Sequence, residues 1–395
     1  MLTTWLGFFL AMASLLMLSQ KNLGFAMLVG AAILGVLTIP EHFLSVVWLA
    51  VTNPSTVLLT VIVGMIPIIG GTLKASGQMD NLVNNMRVGK RAFLMLSPAL
   101  VGLLPMPGGA LLSAPLIDRV GEHLSNQRKA VLNVWFRHVL YLVYPISPDL
   151  IVSAQAAQLD VYESIPYLVP VLLLSLSLGY FFFLRDAQGK MDYRDKFSAR
   201  GLMLPLTALL AAPVLDISIK TLSVLPIEEA ATLMGVSASL LIALAVDRKS
   251  LRKLSSVVLE ARPWDFGLAM IGIMVFLNVF SSSGIPQLIE NTGITVELLF
   301  VAGFLLGFGT GRIITPAGII FPIFLTKFGA MPFPTFAIMY FAVFLGYVVT
   351  PVHPCVSFSV ESFKTDIKDY FKAVLPPALI ALFSSFFVLC AMNLW

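Results

Sequence analysis

The chain has 395 residues, 58% hydrophobic and 12% charged, with a formal net charge of +4. Soluble globular domains carry about 25% charged residues, so a water-soluble fold could not hide this much apolar surface, and no stretch is left over for a soluble domain. Two cysteines, Cys355 and Cys390, both in apolar segments, support neither a disulfide framework nor a cysteine-based metal site, and the basic residues sort by loop instead of forming a nucleic-acid-binding patch.

A hydrocarbon core of about 30 Å takes about 20 helical residues to cross. In chain order the apolar runs predict spans near 2–18, 23–40, 54–74, 130–159, 162–185, 202–219, 228–246, 264–281, 335–362 and 371–393. The first has no basic residue before Lys21, so it reads as a retained span and not as a signal peptide. Segments 41–53 and 247–263 mix apolar with polar residues, as helices lying along a membrane surface do.

Two segments, 91–120 and 298–327, each hold an apolar arm, a Pro/Gly break and a second apolar arm. An arm of about a dozen residues covers about 20 Å, which reaches the bilayer middle without crossing it. Both read as re-entrant hairpins. Charge agrees: Lys74, Arg87, Lys90 and Arg91 precede the first hairpin and Arg119, Arg128 and Lys129 follow it, so a hairpin keeps both basic clusters on the cytoplasmic side. With that topology 21 of the 25 Lys and Arg residues are cytoplasmic, and both termini are expected to be extracytoplasmic.

The two halves repeat. At a constant offset of 206, Tyr141, Val143, Pro145, Pro148, Ser153, Asp160 and Pro170 match Tyr347, Val349, Pro351, Pro354, Ser359, Asp366 and Pro376. Upstream, Ser76, Gly77 and Asn84 pair with Ser283, Gly284 and Asn291, and Pro107 and Gly109 with Pro316 and Gly318. Each half then has five spans and one hairpin, and an odd number of crossings turns the second copy upside down. The expected fold is an all-α polytopic membrane protein: a first inverted repeat over 1–188, a cytoplasmic linker over 189–200 and a second inverted repeat over 201–395.

Four backbone breaks carry the candidate chemistry: 105–109, 144–148, 309–318 and 350–354. Proline removes a backbone donor and blocks the preceding turn, and lipid tolerates the freed carbonyls only where protein or a water-filled cavity surrounds them. Half-helices starting after such breaks aim N-terminal dipoles at the bilayer midplane, which suits an anion bound beside a cation. Arg312 is either an anion ligand, since its planar fork of donors suits a carboxylate, or a cap on hairpin carbonyls. Asp149 is either a Na+ or H+ site or the N-cap of the resuming helix. His353 is a donor or a packing residue, and Arg137 and His138 lie near enough to a helix end to snorkel. The candidate substrate ligands are Pro107, Gly108, Gly109, Ser147, Thr310, Arg312, Thr315, Gly318, His353 and Ser357. Those for Na+ or H+ coupling are Asp149, Ser113, Ser153 and Thr350. Asp216 and Lys220 read as a local pair. No phosphate loop, metal-ligand cluster or nucleophile constellation is present, which argues against an enzyme.

Two five-helix inverted repeats, each with an arm helix, a re-entrant hairpin and a Pro-broken helix, resemble the ion-transporter superfamily, which includes divalent-anion/sodium symporters, gluconate permeases and C4-dicarboxylate carriers. The Pro-Met-Pro-Gly-Gly-Ala tip at 105–110 is similar to that of a prokaryotic family of uncharacterised integral-membrane proteins. The resemblance implies a homodimer in the cytoplasmic (inner) membrane that works by an elevator motion. The Ser-Asn-Thr tip signature of the divalent-anion symporters is missing at 105–110 and 310–318. The expected function is secondary active transport of a small organic anion, a carboxylate, coupled to Na+ or H+; a cation/proton antiporter is the alternative.

Overall fold

The computed structural model of the chain describes residues 2–103, 105, 109–189, 191, 193, 196–222, 225–246 and 254–392. Regular structure among them is entirely helical. The first half contains α1 (Leu2–Ser19), α2 (Leu23–Thr38), α3 (Phe43–Thr52), α4 (Pro54–Ala75), α5 (Gln78–Asn84), α6 (Lys90–Gly102), α7 (Gly109–Val120), α8 (Asn126–Val139), α9 (Pro148–Ala156) and α10 (Val161–Gly179), which continues as a π turn over Tyr180–Leu184. The second contains α11 (Ala199–Leu222), α12 (Glu229–Val246), α13 (Leu254–Ala261), α14 (Pro263–Ser282), α15 (Ile285–Glu290), α16 (Val296–Thr310), α17 (Ile314–Phe328), α18 (Phe333–Val349), α19 (Pro354–Ser362) and α20 (Ile367–Met392).

The ends of these helices follow local chemistry. Asn22, Asn53, Asp160 and Thr295 accept a hydrogen bond from the backbone N–H three residues on, and so cap α2, α4, α10 and α16. Proline stands in the first turn of α4, α9, α14, α18 and α19, where its missing N–H would have had no intrahelical acceptor. The sequence reading leaves out α5 and α15. Each begins after a glycine in the left-handed region, Gly77 at φ 70° and Gly284 at φ 74°, a conformation that permits the abrupt turn.

Among the described residues six helices are long and apolar enough to cross a membrane: α1, α4, α10 with its π turn, α11, α14 and α20. The pair α18–α19, bent by 40° across residues 350–353, makes a seventh. The sequence reading has ten. Of the other three, α2 and α12 are shorter apolar helices, and the crossing expected over 130–159 is divided between α8 and α9, with Arg128, Lys129, Asn133, Arg137 and His138 all in α8.

The packing has a regular pattern. Helix α1 packs on α2 as α11 does on α12; α2 and α3 pack on α14 as α12 and α13 pack on α4; and α4 meets α14 directly. In the rest of the molecule α6 packs on α8 and α16 on α18, α7 on α19 and α17 on α9, and α10 on α18 and α20 on α8. Each contact recurs when helix n is exchanged for helix n+10. Several contacts among the described residues break the pattern: α17 also packs on α14 and α15, α19 on α8 and α9 on α14, without counterparts of similar extent for α7 on α4 and α5, α9 on α18 or α19 on α4. The innermost helices are α8, buried continuously from Lys129 to Val139, and α18, buried from Thr335 to Gly346.

Candidate functional site

The first break follows from Pro145 and Pro148. Helix α8 ends at Val139, a 3-10 turn covers Leu140–Leu142, and α9 restarts with Pro148 after the buried Ser147. The second follows from Pro351 and Pro354. The Thr350 hydroxyl accepts from the Val352 N–H at 3.2 Å, and α19 restarts after His353. Helix α7 begins at Gly109, and Gly311, at φ 61°, terminates α16. All four breaks lie beside α8 or α18.

Arg137, on α8, is 2% exposed, so it does not snorkel as the sequence reading allows. Its guanidinium lies against Gly109: a β-carbon there would stand 2.6 Å from Cζ and nearer still to Nη2. Nε and Nη1 are buried without a hydrogen-bond acceptor, and among the described residues Arg137 is in no salt bridge. The Cys355 thiol is within its hydrogen-bonding reach.

Beside Arg137 four rings pack together. His138 meets Tyr141, Tyr347 and His353 edge-on at centroid distances of 5.3, 5.2 and 4.7 Å, and Tyr347 stacks on His353 at 4.1 Å. His138 Nδ1 is 2.7 Å from the Val134 carbonyl, which fixes that nitrogen as the donor. His353 is 3% exposed, and its Nδ1 has no partner. The donor atoms of His138, His353 and Cys355 lie within 4.8 Å of one another, so a soft cation could be held there only if the three closed up. A divalent ion would add a second positive charge beside Arg137 that one thiolate does not offset, which argues against it.

At the second hairpin the Gln20 amide donates to the Gly309 and Thr310 carbonyls at 3.4 and 3.2 Å, so a residue between α1 and α2 caps this tip. Thr310 Oγ1 donates to Leu306 O at 2.7 Å. Arg312, half-buried, lies in the electrostatic range of Tyr347, Asp149 and Asp265. Asp265 already pairs with Arg262 at 2.8 Å and accepts from the Asn22 amide at 3.1 Å. A β-carbon at Gly318 would meet Met27 at 3.0 Å, so Gly318 faces α2 and not the breaks.

The remaining candidates divide. Ser147, Ser153 and Thr315 are buried with unpartnered hydroxyls at the breaks. Ser113 donates to Asn133 Oδ1 at 2.6 Å, while Asn133 Nδ2 donates to Ala110 O at 3.1 Å and Ser359 Oγ at 2.9 Å. The fully buried Asn133, which the sequence reading passes over, therefore ties α7 to α8 and α19. Ser357 is exposed, and its backbone N–H lies 3.5 Å from the His353 carbonyl. Pro107 and Gly108 lie outside the described residues. The Asp216–Lys220 pair is present at 3.3 Å, and Tyr162 donates to Asp216 at 2.7 Å. A cleft of about 460 Å³, lined by Gln155, Asp160, Glu228, Asn278 and Ser281, separates the end of α9 from α14.

Residues 2–392 match the family described as "Protein of unknown function (DUF401)", and the chain belongs to that family. No curated protein matches it.

Proposed function

We propose that the protein is a secondary active transporter of a small organic anion, a carboxylate, across the cytoplasmic membrane, coupled to Na+ or H+. The observation that carries this reading is the concentration of ionisable side chains at helix breaks inside a membrane-spanning helical protein: Arg137, Arg312 and Asp149 lie where α7, α9, α17 and α19 begin. A charge in the membrane interior costs about 3 kcal/mol or more on insertion scales and marks substrate or ion pathways. N-terminal half-helix dipoles favour an anion, and the unwound carbonyls favour a coupled cation.

The exchange of α1–α10 for α11–α20 in the packing supports two inverted repeats, with α1–α5 and α11–α15 as a framework and α6–α10 and α16–α20 as the moving unit of an elevator. The tip of the second hairpin docks on Gln20 at the α1–α2 turn, which this topology puts on the cytoplasmic side. Both termini are then extracytoplasmic, and a homodimer completes the framework. Asp149 beside Arg312 favours a second reading, a cation/proton antiporter, in which the acid exchanges Na+ for H+.

Reconstitution into proteoliposomes separates the two. Uptake of labelled carboxylates driven by an imposed Na+ or pH gradient is expected. Gradient-driven Na+/H+ exchange without anion uptake would support the antiporter, and neither activity would reject both.

A further inference from the structure

The charges at the four breaks do not balance. Arg137 and Arg312 contribute two positive charges. Asp149 lies near Arg312, and Asp265 is occupied by Arg262 at 2.8 Å. One positive charge remains, and it is the one with free donors: Nε and Nη1 of Arg137, 2% exposed and without an acceptor. An unpaired buried guanidinium is strongly unfavourable unless an anion accompanies it. The same guanidinium faces the start of α7, a 12-residue helix whose first-turn N–H groups have no intrahelical acceptors.

We infer that Arg137, together with the first turn of α7, is the ligand of a monovalent carboxylate, and that this pair, not Arg312, sets the substrate's charge. The inference rests on the anion-transport reading and narrows it to monocarboxylates. Two parallel N–H bonds from an arginine fork match one carboxylate. A second carboxylate on the same small molecule would meet the ring cluster of His138, Tyr347 and His353, and the other guanidinium at the breaks, Arg312, already has Asp149 in its electrostatic range.

The test is thermal unfolding and calorimetry of the purified full-length protein in Na+-free choline buffer at matched ionic strength. The probes are propionate, gluconate, succinate and uncharged propionamide. The monocarboxylates are expected to raise Tm, with succinate weaker and propionamide inert. Arg137→Gln should bind the monocarboxylates at least about tenfold more weakly. Without ligand, Arg137→Gln and Arg137→Met should be as stable as the wild type or more so, because each removes an unpaired buried charge.

If both variants lose stability and Arg137→Gln still responds to the anions, Arg137 is a structural cation and the assignment falls. Stronger stabilisation by succinate than by the monocarboxylates overturns the single-charge claim alone. No response of the wild type to any anion rejects this inference and the anion-transport reading together.

Discussion

The guanidinium of Arg137 occupies the space that a side chain at Gly109 would need, with Cζ 2.6 Å from the position of a β-carbon. Gly109 opens α7 on one side of the first hairpin, and Arg137 sits in the middle of the molecule on α8. The carbonyl of Arg137 stands in the same relation to Gly102, at the end of α6. Two glycines thus bring both arms of the hairpin onto one residue. In the second half the carbonyl of Val343, 206 positions after Arg137, lies against Gly307 on α16 in the same way. The scaffold is shared between the halves, and the charge belongs to one of them.

Gly109→Ala should therefore act through Arg137. Overpacking a well-filled interior costs about 1–3 kcal/mol, so the variant is expected to lower Tm and weaken anion binding. In an Arg137→Met background, whose side chain is shorter and flexible, the penalty should shrink. A double-mutant cycle on Tm measures this coupling; additive effects would mean that the hairpin yields elsewhere.

Asn133 gives a test of how firmly the first hairpin is held. An ordinary interhelical hydrogen bond in a membrane protein is worth about 0.6 kcal/mol. Asn133→Leu removes the amide partner of Ser359 and leaves Ser113 only its 3.4 Å bond to the Ala110 carbonyl, and a buried polar group left unmet costs about 1–3 kcal/mol. A loss of about 2 kcal/mol or more is expected in reversible unfolding, and a loss near 0.6 kcal/mol would mean that α7 is only loosely tied to α8.

The orientation of α14 follows from charge. Four basic residues lie between Arg248 and Lys253, and none lies between 263 and 311, so the start of α14 is expected in the cytoplasm and its end outside. The buried Ser283 would report poorly, but Ser255 and Ser282 are exposed near the two ends. Single cysteines there, in a background with Cys355 and Cys390 replaced by serine, should differ in intact cells: an impermeant thiol reagent labels Ser282→Cys and spares Ser255→Cys. Equal labelling would remove the basis for the inverted topology.

The helices, the hairpins and the breaks are legible in the sequence because each has a local cause: an apolar run of spanning length, a proline that ends a ladder, a glycine that permits a turn. Even the unpredicted α5 and α15 leave a trace in the matched Ser-Gly pairs at 76–77 and 283–284. The site is less legible, since its composition depends on contacts between distant segments. Arg137 and His138, some seven residues into a predicted helix, carry no local sign of whether they reach an interface or stay inside; that depends on α7, α18 and α19 closing over α8. Asn133 is one polar residue in a helix that also holds Arg128, Lys129, Arg137 and His138, and nothing local singles it out. Arg312 stands out by its isolation in the sequence, yet the fold brings Asp149 from the other half into its electrostatic range.

Asp149 lies in the electrostatic range of Arg312 across the two halves, and position 355 of the second half holds a cysteine in its place, so the acid has no symmetric substitute. If Asp149 binds the coupling ion, Asp149→Asn keeps the side chain's size, removes the charge and abolishes the Na+ or pH dependence of anion uptake. The same change raises the formal charge at the breaks by one, since Arg312 loses its counter-charge. A site that accepts one carboxylate in the wild type should then accept two, so succinate binding is expected to improve in Asp149→Asn while propionate binding changes little. Restoring the balance in the double variant Asp149→Asn with Arg312→Gln should return the preference to propionate. Calorimetry with both anions on the single and double variants measures it. The N-cap of α9 is Ser147, with Asp149 inside the first turn, so a succinate preference that does not move with the charge at position 149 would show that Asp149 only complements the N-terminal dipole of α9, and that selectivity is set elsewhere in the site.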